Sequence, residues 1–302
     1  MNILLANNKL RYLGGTETYI YALAAQLVKT GHRVEAFTFR KGLISDRMKR
    51  DLGVQTTNGT GKYDVVLANH STTVKALREK KAGFIIQTCH GVTTALEQPS
   101  PFAHAWVAVS KELSAHVESI TEVKTPVILN GIDCHRFKPV NPVGEKLTKV
   151  LSLAHNDALN DVLEDHFKKY GIKLFRLNKR KNPLWDVEKQ INQADMVISL
   201  GRGAYEAMAC GRPVLVVDRR PGRELKGDGI ILPENIEKLI ACNCRGQAYR
   251  NTNIAEMVET AVENYSPRLG EWCRQYALEN LNIGKQTEKY IALCKKLIWY
   301  MY

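Results

Sequence analysis

No apolar run in the 302-residue chain approaches the roughly 18 to 20 residues needed to cross a bilayer. The first residues, Met1 to Ala6, read as a strand and lack the basic region and long apolar stretch of an export signal. Neither an integral membrane protein nor a secreted one is expected. Cysteine is odd in number, seven in all, and no CxxC pair occurs. That excludes a disulfide framework and a zinc or redox pair as readings, and a reducing cytoplasm is the expected setting. None of the eight histidines forms an HxH or HxxxH pair, so no metal site is read. The GxGxxG fingerprint is missing as well, which disfavours nicotinamide chemistry, and low-complexity tracts are absent.

What is present is ordinary globular material, 44% apolar and 25% charged, sufficient for two cores of roughly 100 to 150 residues each. Short β-branched runs alternate with helical ones in both halves, the grammar of parallel sheets covered by helices. In the first half the strands are expected at 2–6, 33–38, 64–68, 83–87, 105–109 and 126–129. A turn-rich stretch through Pro139, Asn141, Pro142 and Gly144 breaks the pattern, as a linker would. It places a boundary near 138–146. The second half restarts with strands at 148–154, 172–177, 195–200 and 213–217 and a short one near 229–232. Helices dominate from 234 onward. The final one, about 285–300, ends Leu297-Ile298-Trp299-Tyr300-Met301-Tyr302, too apolar for a free tail, and is expected to pack back on the body.

The net charge is +12 and unevenly spread: residues 29–81 hold twelve Lys or Arg against five acids. Either an anionic partner meets this region or it is a solvated face. Ile44, Met48 and Leu52 recur at four-residue spacing with Arg47, Lys49 and Arg50 between them. One helix there could lay an apolar stripe and basic flanks on an anionic membrane.

Four segments carry chemistry. Leu13-Gly14-Gly15-Thr16-Glu17-Thr18 joins a strand to an amphipathic helix; paired glycines admit close backbone approach, and amides at a helix start attract anions. Gln87-Thr88-Cys89-His90-Gly91 puts an imidazole at the carboxyl end of a parallel strand, where open αβ sheets bind ligands. Val107 to Leu113 reads as a strand capped by Ser110 into a helix, and Pro126 to Pro139 as a strand into a turn. The longest is Asp195 to Val217, a strand, a Gly201-Arg202-Gly203 turn, a two-turn helix carrying Glu206, a stop at Gly211 and a new strand from Pro213. Glu206, placed in the helix's first turn, could accept hydrogen bonds from ribose hydroxyls or merely complement the helix dipole. Gly201, Arg202 and Gly203 offer amides and a guanidinium to phosphate.

Together, Gly14-Gly15-Thr16-Glu17, Thr88-Cys89-His90-Gly91, Val109-Ser110, Asn130-Gly131-Ile132-Asp133 with Phe137 and Pro139, and Glu206 to Val214 resemble the retaining glycosyltransferases of family 4. The resemblance covers roughly residues 1–220. It implies an α/β, GT-B fold of two facing Rossmann-like domains: an acceptor domain at 1–140, a nucleotide-sugar domain at 146–282, and a C-terminal helix, 283–302, crossing back to the first. It also implies a nucleotide-sugar donor, no cofactor, no catalytic metal, and retention at the anomeric carbon. Carried over by position, His90 and Gly15 would be catalytic. Gly14, Gly15, Thr16, Asn130, Arg202, Gly203 and Glu206 would bind the donor, and Arg47, Lys49 and Arg50 an anionic acceptor or surface.

Two departures accompany the likeness. Ile198 stands where the family has a second Glu eight positions before the one matching Glu206. Leu151 to Asp157 stands where an Arg and Lys pair neutralises the diphosphate. Arg202, then Lys179 and Arg180, then Arg219, Arg220 and Arg223 are the substitutes expected. Three functions follow: a cytoplasmic transferase, free or peripheral to the membrane, that uses a glycan or lipid-linked acceptor; a virus-encoded transferase that glycosylates modified DNA bases; and a non-catalytic sugar or nucleic-acid binder.

Overall fold

The computed structural model describes residues 1–178, 184–219 and 224–299. It divides into two units, Met1–Gly131 with the segment from Ile283 onward, and Ile132–Asn282. The first contains β1 (Asn2–Ala6), α1 (Gly15–Lys29), β2 (Arg33–Phe37), α2 (Leu43–Leu52), β3 (Thr56–Thr57), β4 (Val65–Ala68), α3 (Ser71–Glu79), β5 (Phe84–Cys89), β6 (Ala105–Ala108) and α4 (Lys111–Thr121). The second contains β7 (Lys149–Ser152), α5 (Asp157–Lys168), β8 (Lys173–Arg176), α6 (Val187–Ile191), β9 (Met196–Ile198), α7 (Arg202–Ala209), β10 (Val214–Asp218), β11 (Lys226–Ile230), α8 (Ile236–Ala241), α9 (Ile254–Glu263) and α10 (Pro267–Tyr276). The last helix, α11 (Ile283–Trp299), returns to the first unit.

The first sheet runs β3-β2-β1-β4-β5-β6, all parallel. Its order reverses between β1 and β4, so the loops after these strands flank the switch point where open α/β sheets take ligands. Ile3, Leu4, Leu5 and Ala6 of β1 are wholly buried, the mark of a central strand covered on both faces. The second sheet runs β11-β10-β9-β7-β8, parallel except for the antiparallel edge β11. There the switch point lies between β7 and β9.

Three expectations meet a different outcome. Residues 126–129 form no full strand: Val127 makes an isolated parallel bridge to Ala108, with Ile128 N donating to Ala108 O at 2.9 Å. Pro126 supplies a carbonyl to that ladder and has no N–H to extend it. The division falls at Gly131/Ile132 and not within 138–146, because the intervening segment is fastened to the second unit. Phe137 is buried, and Arg274 donates to the carbonyls of Phe137 (2.8 Å) and Cys134 (3.0 Å). Further on, the wholly buried Arg212 holds Asn141 O at 2.8 Å and Asn192 O at 3.0 Å. Third, the turn-rich stretch is therefore an anchored connection rather than a free linker.

The C-terminal helix packs through residues ahead of the apolar ending that suggested it. Ile283, Gln286, Thr287, Tyr290 and Cys294 form its buried face, and it packs on α1. Of its apolar ending, Tyr300, Met301 and Tyr302 lie outside the described residues, and Trp299 is exposed. All seven cysteines are free thiols; burial pushes those of Cys89 and Cys210 up to about 12, so they are unreactive core groups.

Candidate functional site

In the first unit three segments meet at the carboxyl edge of the sheet. Gly14 is the N-cap of α1 in ordinary extended conformation, so its missing side chain answers close approach and not chirality. A Cβ there would lie 2.1 Å from Glu17 Oε2. Glu17 thus folds back over the turn, accepting from Thr16 Oγ1 at 3.0 Å. Burial, the largest effect, raises its carboxyl above the usual range against the pull of the backbone, Thr16 and Lys9. Gly15 faces open space.

His90, half-buried just beyond β5, lies edge-on to Tyr19 of α1, with ring centroids 5.3 Å apart at 70°. Tyr290 of α11 bonds Thr88 Oγ1 at 3.0 Å. Burial pushes Tyr290 up to about 12, so it stays a proton donor. The crossing helix therefore braces the strand end that bears His90. Glu97 closes the other side: a Cβ on Gly91 would lie 2.1 Å from its Oε2. Asn130 is buried, and its Oδ1 accepts no hydrogen bond among the described residues.

In the second unit the turn after β9 is built tightly. Gly201 has φ +51°, a conformation reserved for glycine, and a Cβ on Gly203 would meet Ser199 Oγ at 2.3 Å. The amides of Gly201 and Gly203 already donate to Cys244 O (2.9 Å) and Leu200 O (3.1 Å). They are not spare donors for phosphate, contrary to the sequence expectation. Glu206 opens the second turn of α7, not the first, so it is not a dipole complement there. Its Oε1 lies 3.1 Å from Arg202 Nε, and the two side chains are only 5% and 9% exposed. It is a dry ion pair one turn into the helix that follows the switch-point strand β9.

Ile198 ends β9 fully buried, so the position of the family's other carboxylate is core. Among the substitutes for the missing cationic pair, Lys179, Arg180, Arg220 and Arg223 lie outside the described residues. Arg219 is exposed, its carbonyl accepting from Asn156 Nδ2 at 2.8 Å. His155 sits half-buried in the turn after β7, across the switch point from β9. Sequence reading missed it, although it meets the strand-end criterion that selected His90. Glu17 was read as part of the glycine motif but given no role, and Tyr19 and Tyr290 were missed, the first as a helix residue and the second because it lies 200 positions from His90.

The residues expected to hold an acceptor fare differently. Ile44 and Met48 are fully buried and Leu52 partly, packed on α1, so the stripe read as membrane-facing is core. Arg47 and Arg50 both turn to Asp51, at 3.7 and 2.7 Å, leaving Lys49 at the surface. Among the described residues no cluster of three metal-ligating side chains occurs, and no helix is long and apolar enough to cross a membrane.

No family model matches the sequence, and no curated protein is similar to it in sequence. Solved structures do resemble it. Anabaena Alr3699/HepE in complex with UDP and glucose superposes with a TM-score of 0.67 at 13% identity, over 98% of this chain and all of that one. A glycosyltransferase from Rickettsia africae ESF-5 gives 0.67 at 15%, over 98% of each chain. A Listeria monocytogenes protein assigned as a UDP-N-acetylglucosamine 2-epimerase gives 0.62 at 12%, over 99% of this chain and 97% of that one. The last shows one architecture serving a second chemistry. The chain has the GT-B fold of these glycosyltransferases, and what it does with that fold rests on its own side chains.

Proposed function

We propose that the chain is a glycosyltransferase that takes a sugar from a nucleotide-diphosphate donor and places it, with retention and without a metal, on a hydroxyl of a glycan or lipid-linked acceptor. The observation that carries this is the dry Arg202–Glu206 pair at the switch point of the second sheet, in a chain of GT-B fold. A guanidinium answers phosphate oxygens and a carboxylate answers the two hydroxyls of a ribose. A nucleotide thus offers each member of the pair a partner as good as the one it has.

In the transfer the bond from the anomeric carbon to the diphosphate oxygen breaks, and the acceptor oxygen bonds to that carbon on the same face. The acceptor proton leaves with the diphosphate. Charge develops on the leaving oxygen and on the sugar ring, so fixed cations and amide dipoles lower the barrier most. In the second unit Arg202 serves the leaving oxygen; in the first, taken by itself, the opening amides of α1 suit an anion and His90, edge-on to Tyr19, suits a hydroxyl. UDP bound in HepE supports a uridine donor.

The test is a thermal-shift panel of UDP, GDP, TDP and ADP and their sugars against wild type and Glu206→Gln. A ligand at 100 times its Kd stabilises by about 2.7 kcal/mol. One nucleotide should shift wild type and not the variant; no shift by any of them would refute the reading. With the donor in hand, the anomer of the product and the effect of EDTA check retention and metal independence. Sugar transferred to DNA would move the acceptor to modified bases.

A further inference from the structure

We infer that the first unit carries a docking face for an anionic lipid bilayer, formed by the loops after β1 and β2 with the first residue of α2, and not by the Ile44, Met48 and Leu52 stripe of that helix. The two loops are stitched together by their backbones. Phe39 N donates to Asn8 O at 3.2 Å, Leu10 N to Arg40 O at 2.9 Å, and Leu43 N to Arg11 O at 3.1 Å. Gly42 allows the closeness, since a Cβ there would lie 2.9 Å from Arg11 Cα. Leu10 is wholly buried and anchors the pair.

On this joined surface Tyr12, Phe39 and Leu43 stand 62%, 50% and 43% exposed. Lys9, Arg11, Arg40 and Lys41 are all exposed around them. Isolated exposed apolar side chains are commonplace, but three on two bonded loops and the helix start that follows them, ringed by four cations, form a patch. The acids nearby are Asp46, exposed one turn into α2, and Glu17, which is turned over Gly14.

Cations at the headgroups with aromatic and aliphatic side chains at the acyl boundary are what an anionic bilayer surface recognises. The details favour lipid over nucleic acid. Leu43 cannot stack on a base. The Arg11 guanidinium already lies 5.1 Å over the Tyr12 ring, and Phe39 is held edge-on to Phe37 at 5.2 Å. The inference is independent of the proposed transfer activity, because binding to a membrane requires no donor.

The experiment is flotation of the full chain with phosphatidylcholine vesicles and with vesicles that also contain phosphatidylglycerol, at low and high salt. Binding should require the anionic lipid and weaken with salt. Arg40→Glu with Lys41→Glu should lower it roughly thirtyfold, and Phe39→Ser with Leu43→Ser roughly tenfold. Lys168→Glu, exposed in the second unit, should leave it unchanged. These side chains are exposed, and an unchanged Tm in each variant separates lost binding from lost folding. Absent binding, equal binding to phosphatidylcholine alone, or indifference to both double variants overturns the inference. So does a single-stranded oligonucleotide that displaces the vesicles and loses affinity in the same variants.

Discussion

The two glycine turns occupy comparable places, each following a strand that flanks its sheet's switch point, yet they need glycine for different reasons. In the second unit Gly201 is there for its φ of +51° and Gly203 because Ser199 Oγ leaves no room. The amides of both glycines are consumed internally, so the chemistry of that turn falls mainly to side chains, Arg202 and Glu206. In the first unit Gly14 makes room for the Glu17 carboxyl, while Gly15 touches nothing. That turn keeps its backbone open at the start of α1, where unbonded amides suit an anion. Similar glycine content thus yields a closed turn that displays charge and an open turn that displays backbone.

The comparison is broken most severely by removing the charge. Glu206→Ala leaves the Arg202 guanidinium buried beside an apolar stub and should cost about 3 to 5 kcal/mol, read as a shift in urea midpoint at constant m-value. A loss below about 1 kcal/mol would mean that the pair is solvated and the contrast between the turns overstated. The next effect concerns the first unit. His70, between β4 and α3, accepts from Asn8 N at 3.2 Å. Burial and then Lys9 lower its pKa to about 4. Between the ordinary value of 6.5 and 4 the unfolded chain binds a proton that the folded chain refuses. Stability is therefore lost as pH falls through that window, by about 3 kcal/mol at its end. Urea melts from pH 7 to pH 4 should show this slope in wild type and a flatter one in His70→Asn, whose amide oxygen can accept the same bond. Parallel slopes would show that the ring ionises at its ordinary pKa in the fold.

Much of this architecture was legible in the sequence because its signals are local. Alternating β-branched and helical runs placed most strands, Ser110 announced the cap that accepts from Leu113 N at 3.3 Å, and Gly201-Arg202-Gly203 announced a turn. Illegible features depended on which way a face points or on distant partners. Ile44, Met48 and Leu52 have the same spacing whether they meet lipid or α1, and only packing decides. The brace on His90 joins Thr88 to Tyr290 across the whole first unit and the excursion of the second. Nor could spacing show that the Gly201 and Gly203 amides find partners at Cys244 and Leu200.

The steric half of the comparison calls for a smaller perturbation. Gly203→Ala should destabilise by about 1 to 3 kcal/mol, the cost of overpacking, because the obstructing Ser199 Oγ belongs to a short side chain with little room to yield. Ser199→Ala should be mild alone and should recover most of that loss in the double variant. The Ser199 Cβ would lie 3.5 Å from the new methyl, an ordinary contact. An additive double variant would place the conflict elsewhere than Ser199.

The smallest effect separates folding from function in the open turn. Gly15 begins α1, has no left-handed φ, and faces empty space. Gly15→Ala therefore introduces no clash and removes chain entropy from the unfolded state. It should stabilise by about 0.4 to 1 kcal/mol, seen as a higher melting temperature without ligand. The same methyl projects where a donor's phosphate or sugar would meet the backbone. If the open turn serves a ligand, the more stable variant should have a lower kcat/KM with the nucleotide-sugar found in the panel, and its affinity for the bare nucleotide, which we assign to Arg202 and Glu206, should be nearly unaltered. Gly15→Ala with raised stability and full activity would leave Gly14 as the only glycine that the turn requires, and would confine ligand chemistry in the first unit to side chains such as His90.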